Sequence, residues 1–336
     1  MADRFENLDP DAQRAHLLSV AERTLPFWEI SSDATLTLLN ISENATYRVD
    51  DPAHSVPTIL RVHRTGYHTR NAVLTELAWM RALREGGGVE TPRSLQARDG
   101  ELIHSVTTDA LREERFVVMF EFVSGSEPEE DALLEPFADL GTIAARMHRH
   151  ARGWARPAYF ERLDWSFDGA LGKRPNWGDW REGPGLDRER KVLFQRAVDT
   201  VESRLARFGR DESRFGLTHA DLRLANLLIH NGSIRVIDFD DSGLSWFLYD
   251  LATAVTFMED REDLDELIGA WLAGYRREAP LSEEEEREIP TFLVLRRLTV
   301  LAWLGSHSDT DLAREQGTPY TDATVGLVEM YLSRFG

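Results

Sequence analysis

The chain is 336 residues long, more than one ordinary domain needs and enough for two lobes that each bury a core. Hydrophobic residues at 42% and charged residues at 29% exclude a disordered or collagen-like chain, and no run approaches the roughly 18 uninterrupted apolar residues of a membrane helix. A net charge of −19 repels phosphate backbones and anionic lipid, so neither nucleic acid nor membrane is an expected partner, and the absence of Cys excludes disulfides, thiolate nucleophiles and Cys-held zinc.

Asp3, Glu6 and Asp9 stand where a signal peptide carries basic residues, which makes the cytoplasm the expected compartment. The first predicted element is an amphipathic accessory helix over 10–28, with Asp9 or Asp11 as its cap. Three β-branched runs, 35–40, 46–50 and 58–63, are split by the turn residues Ser42, Glu43 and Asn44 and by Asp51-Pro52, and read as antiparallel strands. A helix over 70–85 stops at Gly86-Gly87-Gly88, and a hairpin-like pair follows, ending in the apolar run 116–123. After Gly125 the pattern turns helical. Leu140, Ile143, Ala144 and Met147 share one face of a helix over 133–150, and the Trp-, Pro- and Gly-rich stretch 154–185 lacks periodicity and reads as an ordered covering loop. A helix over 187–208 leads to strands at 227–230 and 234–239 joined by Asn231-Gly232, and from Asp250 the chain is helical, with Ser282 capping an acid-rich start at 283–286.

The chemistry concentrates at Leu217-Thr218-His219-Ala220-Asp221-Leu222-Arg223-Leu224-Ala225-Asn226 and Val236-Ile237-Asp238-Phe239-Asp240-Asp241. One hairpin brings a carboxylate, a carboxamide and a second carboxylate to one place, and hard oxygens of this kind suit Mg²⁺, while an Asp that is not a ligand can orient a hydroxyl and accept its proton. This H-x-D-x-x-x-x-N…I-D-F set, followed by Asp250-Leu251-Ala252, resembles the aminoglycoside phosphotransferase and choline kinase-like superfamily. The resemblance implies an α+β, bilobal protein kinase-like fold: a small β-rich N-terminal lobe over 1–123, including the accessory helix, and a larger, mainly helical catalytic and substrate-binding lobe over 124–336. It also implies ATP and Mg²⁺ as cofactors, Asp221 as catalytic base, Asn226 and Asp238 as metal ligands, and His219 and Asp250 as braces of the loop. Asp240 is either a second-metal residue or a neighbour of the first metal.

Kinases of this fold clamp the nucleotide phosphates with a third-strand cation paired to a helix carboxylate, usually a lysine. Lys occurs here only at Lys173 and Lys191, so Arg61 takes that place with Glu76 as its partner. The phosphate-covering loop has no Gly; Ser42 and Asn44 are its candidate contacts, with Met119 lining the adenine pocket and Glu121 to Val123 supplying hinge backbone groups. The function implied is transfer of the ATP γ-phosphate to a hydroxyl of a small molecule. The alternatives are a stress-response type Ser/Thr protein kinase and a non-catalytic nucleotide-binding module. Acidic residues over 259–266, together with Trp177 and Trp180, suggest that the acceptor carries a cation. Nothing in the sequence sets the oligomeric state.

Overall fold

The computed structural model describes residues 5–41, 43–108, 111–128, 132–308 and 310–336. The chain divides into two compact units, the first made of Met1–Arg84, Glu90–Gly125 and Arg156–Glu161, the second of Glu85–Val89, Ser126–Ala155 and Arg162–Gly336. Segments 85–89 and 156–161 thus belong to the unit other than that of their chain neighbours, and Gly125 and Ser126 stand at the division between the longest stretches.

The first unit contains α1 (Pro10–Thr24), β1 (Thr35–Ile41), β2 (Ala45–Asp50), β3 (Thr58–Val62), α2 (Arg70–Ala82), β4 (His104–Thr107) and β5 (Glu114–Glu121). The strands form one antiparallel sheet in the order β1-β2-β3-β5-β4. Strict alternation gives β2 a buried face of Ala45, Tyr47 and Val49, and Leu60, Val62, Val117 and Met119 continue that face across β3 and β5. Leu17, Val20 and Ala21 of α1 pack on it, so α1 is a core layer of the sheet rather than an accessory. Asp9 caps α1 by accepting from the backbone N–H of Asp11 and Ala12 at 3.0 and 2.9 Å, and Pro10 occupies the first turn, where its missing N–H costs nothing. The helix is shorter than 10–28 because the chain tightens into a 3₁₀ turn at Leu25–Phe27. Likewise α2 ends at Ala82 and widens into a π turn over Leu83–Gly87, which takes in Gly86 and Gly87 and stops at Gly88.

The second unit contains α3 (Leu134–Gly153), β6 (Leu163–Asp164), α4 (Phe167–Ala170), α5 (Arg188–Phe208), β7 (Phe215–Thr218), β8 (Leu227–His230), β9 (Ser233–Val236), β10 (Gly243–Trp246), α6 (Leu248–Ala254), α7 (Leu264–Tyr275), α8 (Glu283–Ser306) and α9 (Asp311–Phe335), the last broken at Gly317. A small sheet β6-β10-β7 and the hairpin β8-β9 carry the loops, and helices surround them. The hairpin turns on Asn231 (φ 50°) and Gly232 (φ 75°), the left-handed pair that a two-residue turn requires. Helices α3 and α7 approach backbone to backbone: a Cβ on Gly141 would stand 1.9 Å from the Trp271 carbonyl oxygen, and one on Gly274 would stand 1.8 Å from that of Ala138. Ser282 and Glu285 form the capping box that opens α8. This helix is long and apolar enough to cross a bilayer, but 78% of its apolar window is buried inside the unit, where it is the central core helix.

Candidate active site

Each unit holds a part of the predicted constellation. In the first, strand alternation turns Arg61 away from the α1 side while its neighbours Leu60 and Val62 face it. On that opposite face Arg61 meets Glu76 of α2 at 2.7 Å, with side chains 8% and 0% exposed. The ion pair foreseen between them is therefore formed and dry. The Arg61 guanidinium also lies 5.2 Å from the Phe120 ring. Because Leu60 pairs with Met119, and Ile59 with Phe120, it is Phe120 that shares the face of Arg61. Met119 is turned the other way, fully buried in the α1 core, so it does not line that face.

Asn44 uses its Oδ1 to accept the N–H of Arg64 at 3.0 Å, and Glu43 pairs with the Arg64 side chain at 3.1 Å; this bracing gives the Gly-free turn its shape. Ser42 lies outside the described residues. The N–H of Glu121 is committed to the Arg93 carbonyl at 2.9 Å and its side chain is exposed, while Val123 is half-buried in the extended segment before Gly125.

In the second unit the loop after β7 is built around a buried carboxylate at the start of α6. Asp250 accepts from the backbone N–H of His219 at 3.2 Å and of Ala220 at 2.8 Å. Its carbonyl accepts from Thr253, whose hydroxyl oxygen in turn accepts the N–H of Leu222 at 3.0 Å. His148 of α3 completes this brace at 2.8 Å from Asp250 and 3.1 Å from the Tyr275 hydroxyl. A carboxylate can only accept, so His148 Nε2–H donates to Asp250 and Nδ1 accepts from Tyr275. Burial lowers the His148 pKa against the pull of Asp250, in keeping with this neutral tautomer. His219 is oriented in the same manner: its Nδ1 accepts the N–H of Asp221 at 3.3 Å, so its Nε2–H donates to the Ile237 carbonyl at 3.1 Å.

The brace presents Asp221. Asn226 Nδ2 donates to the Asp221 carbonyl at 2.8 Å and to its Oδ2 at 3.0 Å; Arg223 reaches Oδ2 at 3.2 Å, and Arg296 of α8 reaches Oδ1 at 2.6 Å. Burial alone would raise the Asp221 pKa, but the Arg223 and Arg296 charges outweigh it and hold the carboxyl down to about 2. With its amide nitrogen committed to Asp221, Asn226 has its Oδ1 left as a hard-oxygen donor. Asp238 follows on an exposed side chain with its backbone held at φ 59°, and Asp240 is buried beside it. Asp240 and Asp241 bring carboxylate oxygens within 4.8 Å of each other. A carboxamide oxygen and carboxylates with no nitrogen or sulfur donor fit Mg²⁺. Arg162 staples the segment by donating to the carbonyls of Ser242 at 2.6 Å, Phe239 at 3.1 Å and Asp240.

Arg296, Arg162 and His148 stand in none of the motifs of the sequence. For Arg296 a signal was available: two arginines interrupt an otherwise apolar helix, and buried charges are rare without a partner. The expected covering loop 154–185 also differs. It contains β6, α4 and a 3₁₀ turn, and Trp165, Trp177 and Trp180 in it are buried: Arg296 lies 5.0 Å from the Trp177 ring, and Arg181 4.6 Å from that of Trp180. Of the acids over 259–266, Glu259 is buried against Arg297 at 2.7 Å, whereas Asp263 pairs with Arg261 at the surface.

A family model for a phosphotransferase enzyme family matches residues 35–285, most of the chain. The solved structure of a microcompartment-associated aminopropanol kinase is 41% identical, covers 95% of this chain and 98% of its own, and superposes with a TM-score of 0.88. Amicoumacin kinase of Bacillus subtilis (strain 168) is 25% identical over 272 residues, 77% of either chain. An amicoumacin kinase solved with AMP-PNP, Ca²⁺ and Ami is 21% identical, covers 96% of this chain and 95% of its own, and shares the fold with a TM-score of 0.76. The chain belongs to the phosphotransferase enzyme family: it has the protein kinase-like fold and is an ATP-dependent kinase of small-molecule hydroxyl groups.

Proposed function

We propose that the acceptor is a small amino alcohol and that Asp221 is the residue its hydroxyl meets. The observation that carries the catalytic part is the set of donors around Asp221, which fixes both carboxylate oxygens and keeps the group ionised. A base with a pKa of about 2 does not remove a proton from a resting alcohol; it orients the hydroxyl and takes its proton once bonding to phosphorus has made the oxygen acidic. Asn226 and Asp238 would hold Mg²⁺, and Asp240 a second ion or the first one's surroundings; bound there, the metal supplies charge neutralisation of the phosphates. Arg61, positioned by Glu76, binds phosphate oxygens in the place of the usual lysine, and its planar fork does so bidentately.

Support for an amine-bearing acceptor comes from the 41% identity to an aminopropanol kinase over nearly the whole of both chains. The test is ATP consumption with Mg²⁺ across 1-amino-2-propanol, ethanolamine, choline, homoserine and an aminoglycoside. A small amino alcohol is expected to give the highest kcat/KM. Turnover of aminoglycoside or homoserine at least tenfold better than any small amino alcohol would overturn this choice of acceptor.

A further inference from the structure

Helix α8 carries two arginines in succession, each buried and each closing on a carboxylate. Arg296 meets Asp221 at 2.6 Å and Arg297 meets Glu259 at 2.7 Å. Asp221 is accounted for by phosphoryl transfer, but Glu259, on the segment after α6, is not. Its side chain is 2% exposed; Oε2 is taken by Arg297, while Oε1 is buried with no hydrogen-bonding partner on another described residue. Glu259 lies near enough to Arg296 to interact with its charge as well, and Arg296 bonds Thr256, three residues before Glu259, at 3.0 Å.

A second polar atom near Arg296 also lacks a partner among the described residues. Trp177, whose ring faces the Arg296 guanidinium at 5.0 Å, has its Nε1–H buried without an acceptor among the described residues. Buried polar groups are almost always hydrogen-bonded, and each exception asks for an explanation. Around the arginine that holds the catalytic carboxylate, one carboxylate oxygen and one N–H thus lack a partner on another described residue. Their chemistry is complementary to a ligand with a cationic N–H donor and a hydroxyl oxygen.

We propose that Glu259 and Trp177 are the specificity residues of the acceptor subsite, Glu259 accepting from the ammonium of an amino alcohol and Trp177 donating to its hydroxyl oxygen as the hydroxyl hydrogen turns to Asp221. The inference rests on the amino-alcohol reading above and assigns its recognition to particular atoms. A diol of the same skeleton would satisfy Trp177 and Asp221 but give Glu259 a neutral donor, and a site built around a buried charge discriminates strongly against such an analogue.

Steady-state kinetics with 1-amino-2-propanol and 1,2-propanediol tests it. In the wild-type enzyme the amine is preferred, and Glu259→Gln should cut the amine-to-diol ratio of kcat/KM at least tenfold, through KM for the amine. Trp177→Phe, which exchanges the indole and its N–H for a phenyl ring that can still face Arg296, should lower kcat/KM for both acceptors and leave their ratio unchanged. If Glu259→Gln fails to fold because Arg297 is left unpaired, the double variant Glu259→Gln/Arg297→Met removes both charges and reads the same ratio. A folded variant that keeps the wild-type ratio overturns the role of Glu259, and wild-type kinetics in Trp177→Phe overturns that of Trp177. A wild-type enzyme that turns over neither acceptor overturns instead the amino-alcohol reading beneath both.

Discussion

Asp221 is gripped by three donors from its own loop and from α8, and the grip explains why a single atom change there should be so costly. Replacing it with Asn keeps the shape but removes the proton acceptor and places an amide against two guanidiniums. Asp221→Asn should lower kcat by about 10²–10⁴-fold, the range of a lost general base, and leave Mg-nucleotide affinity, measured by calorimetry, within about threefold. Asp238→Ala should do the reverse and weaken metal-dependent nucleotide binding itself. Full activity in Asp221→Asn would remove it from the mechanism. The neighbouring Ala220 is held at φ 64°, a conformation glycine adopts freely, and is fixed there by Asp250 on its N–H and Arg296 on its carbonyl. The Ala220 methyl group thus sits on a backbone clamped from both sides.

Among the elements, the α3–α7 contact does most to set the brace, because α3 supplies His148 and α7 supplies Tyr275. Their close approach depends on Gly141 and Gly274, each facing a carbonyl oxygen where a methyl group has no room. Gly274→Ala should destabilise by about 3 kcal/mol, seen as a lower Tm and a reduced kcat, since the helices must part to admit it. Gly269→Ala on the same helix has nothing within 4 Å of the new Cβ and should be neutral or stabilising by about 0.5–1 kcal/mol. Equal effects of the two substitutions would show that backbone proximity is not what Gly274 provides.

Over the whole molecule, what could be read from sequence was what depends on local spacing. The five-residue interval of Asp221 and Asn226 fixes their contact, and alternation along β3 is enough to put Arg61 opposite the core face. Met119, expected to line the adenine pocket, instead faces the α1 core with Leu60, because which residues of β5 pair with β3 is set by tertiary register, and a shift of one residue exchanges faces. His148 and Arg296 reach their partners across 102 and 75 residues of sequence, a distance no pattern spans. The burial of Trp177 and Trp180 was not legible, because large apolar residues in an aperiodic stretch do not say whether they stand over a cleft or pack within the unit. The Arg61–Glu76 pair has a practical corollary for covalent labelling. ATP derivatives bearing an acyl phosphate capture kinases by acylating the amine that grips the phosphates, and a guanidinium, which stays protonated, does not react in this way. Lys173 and Lys191, both exposed, are the lysines of this sequence, so such a reagent should mark them at a rate that excess Mg-ATP does not slow. Peptide mapping that found one of them protected by nucleotide would place a lysine, not Arg61, against the phosphates.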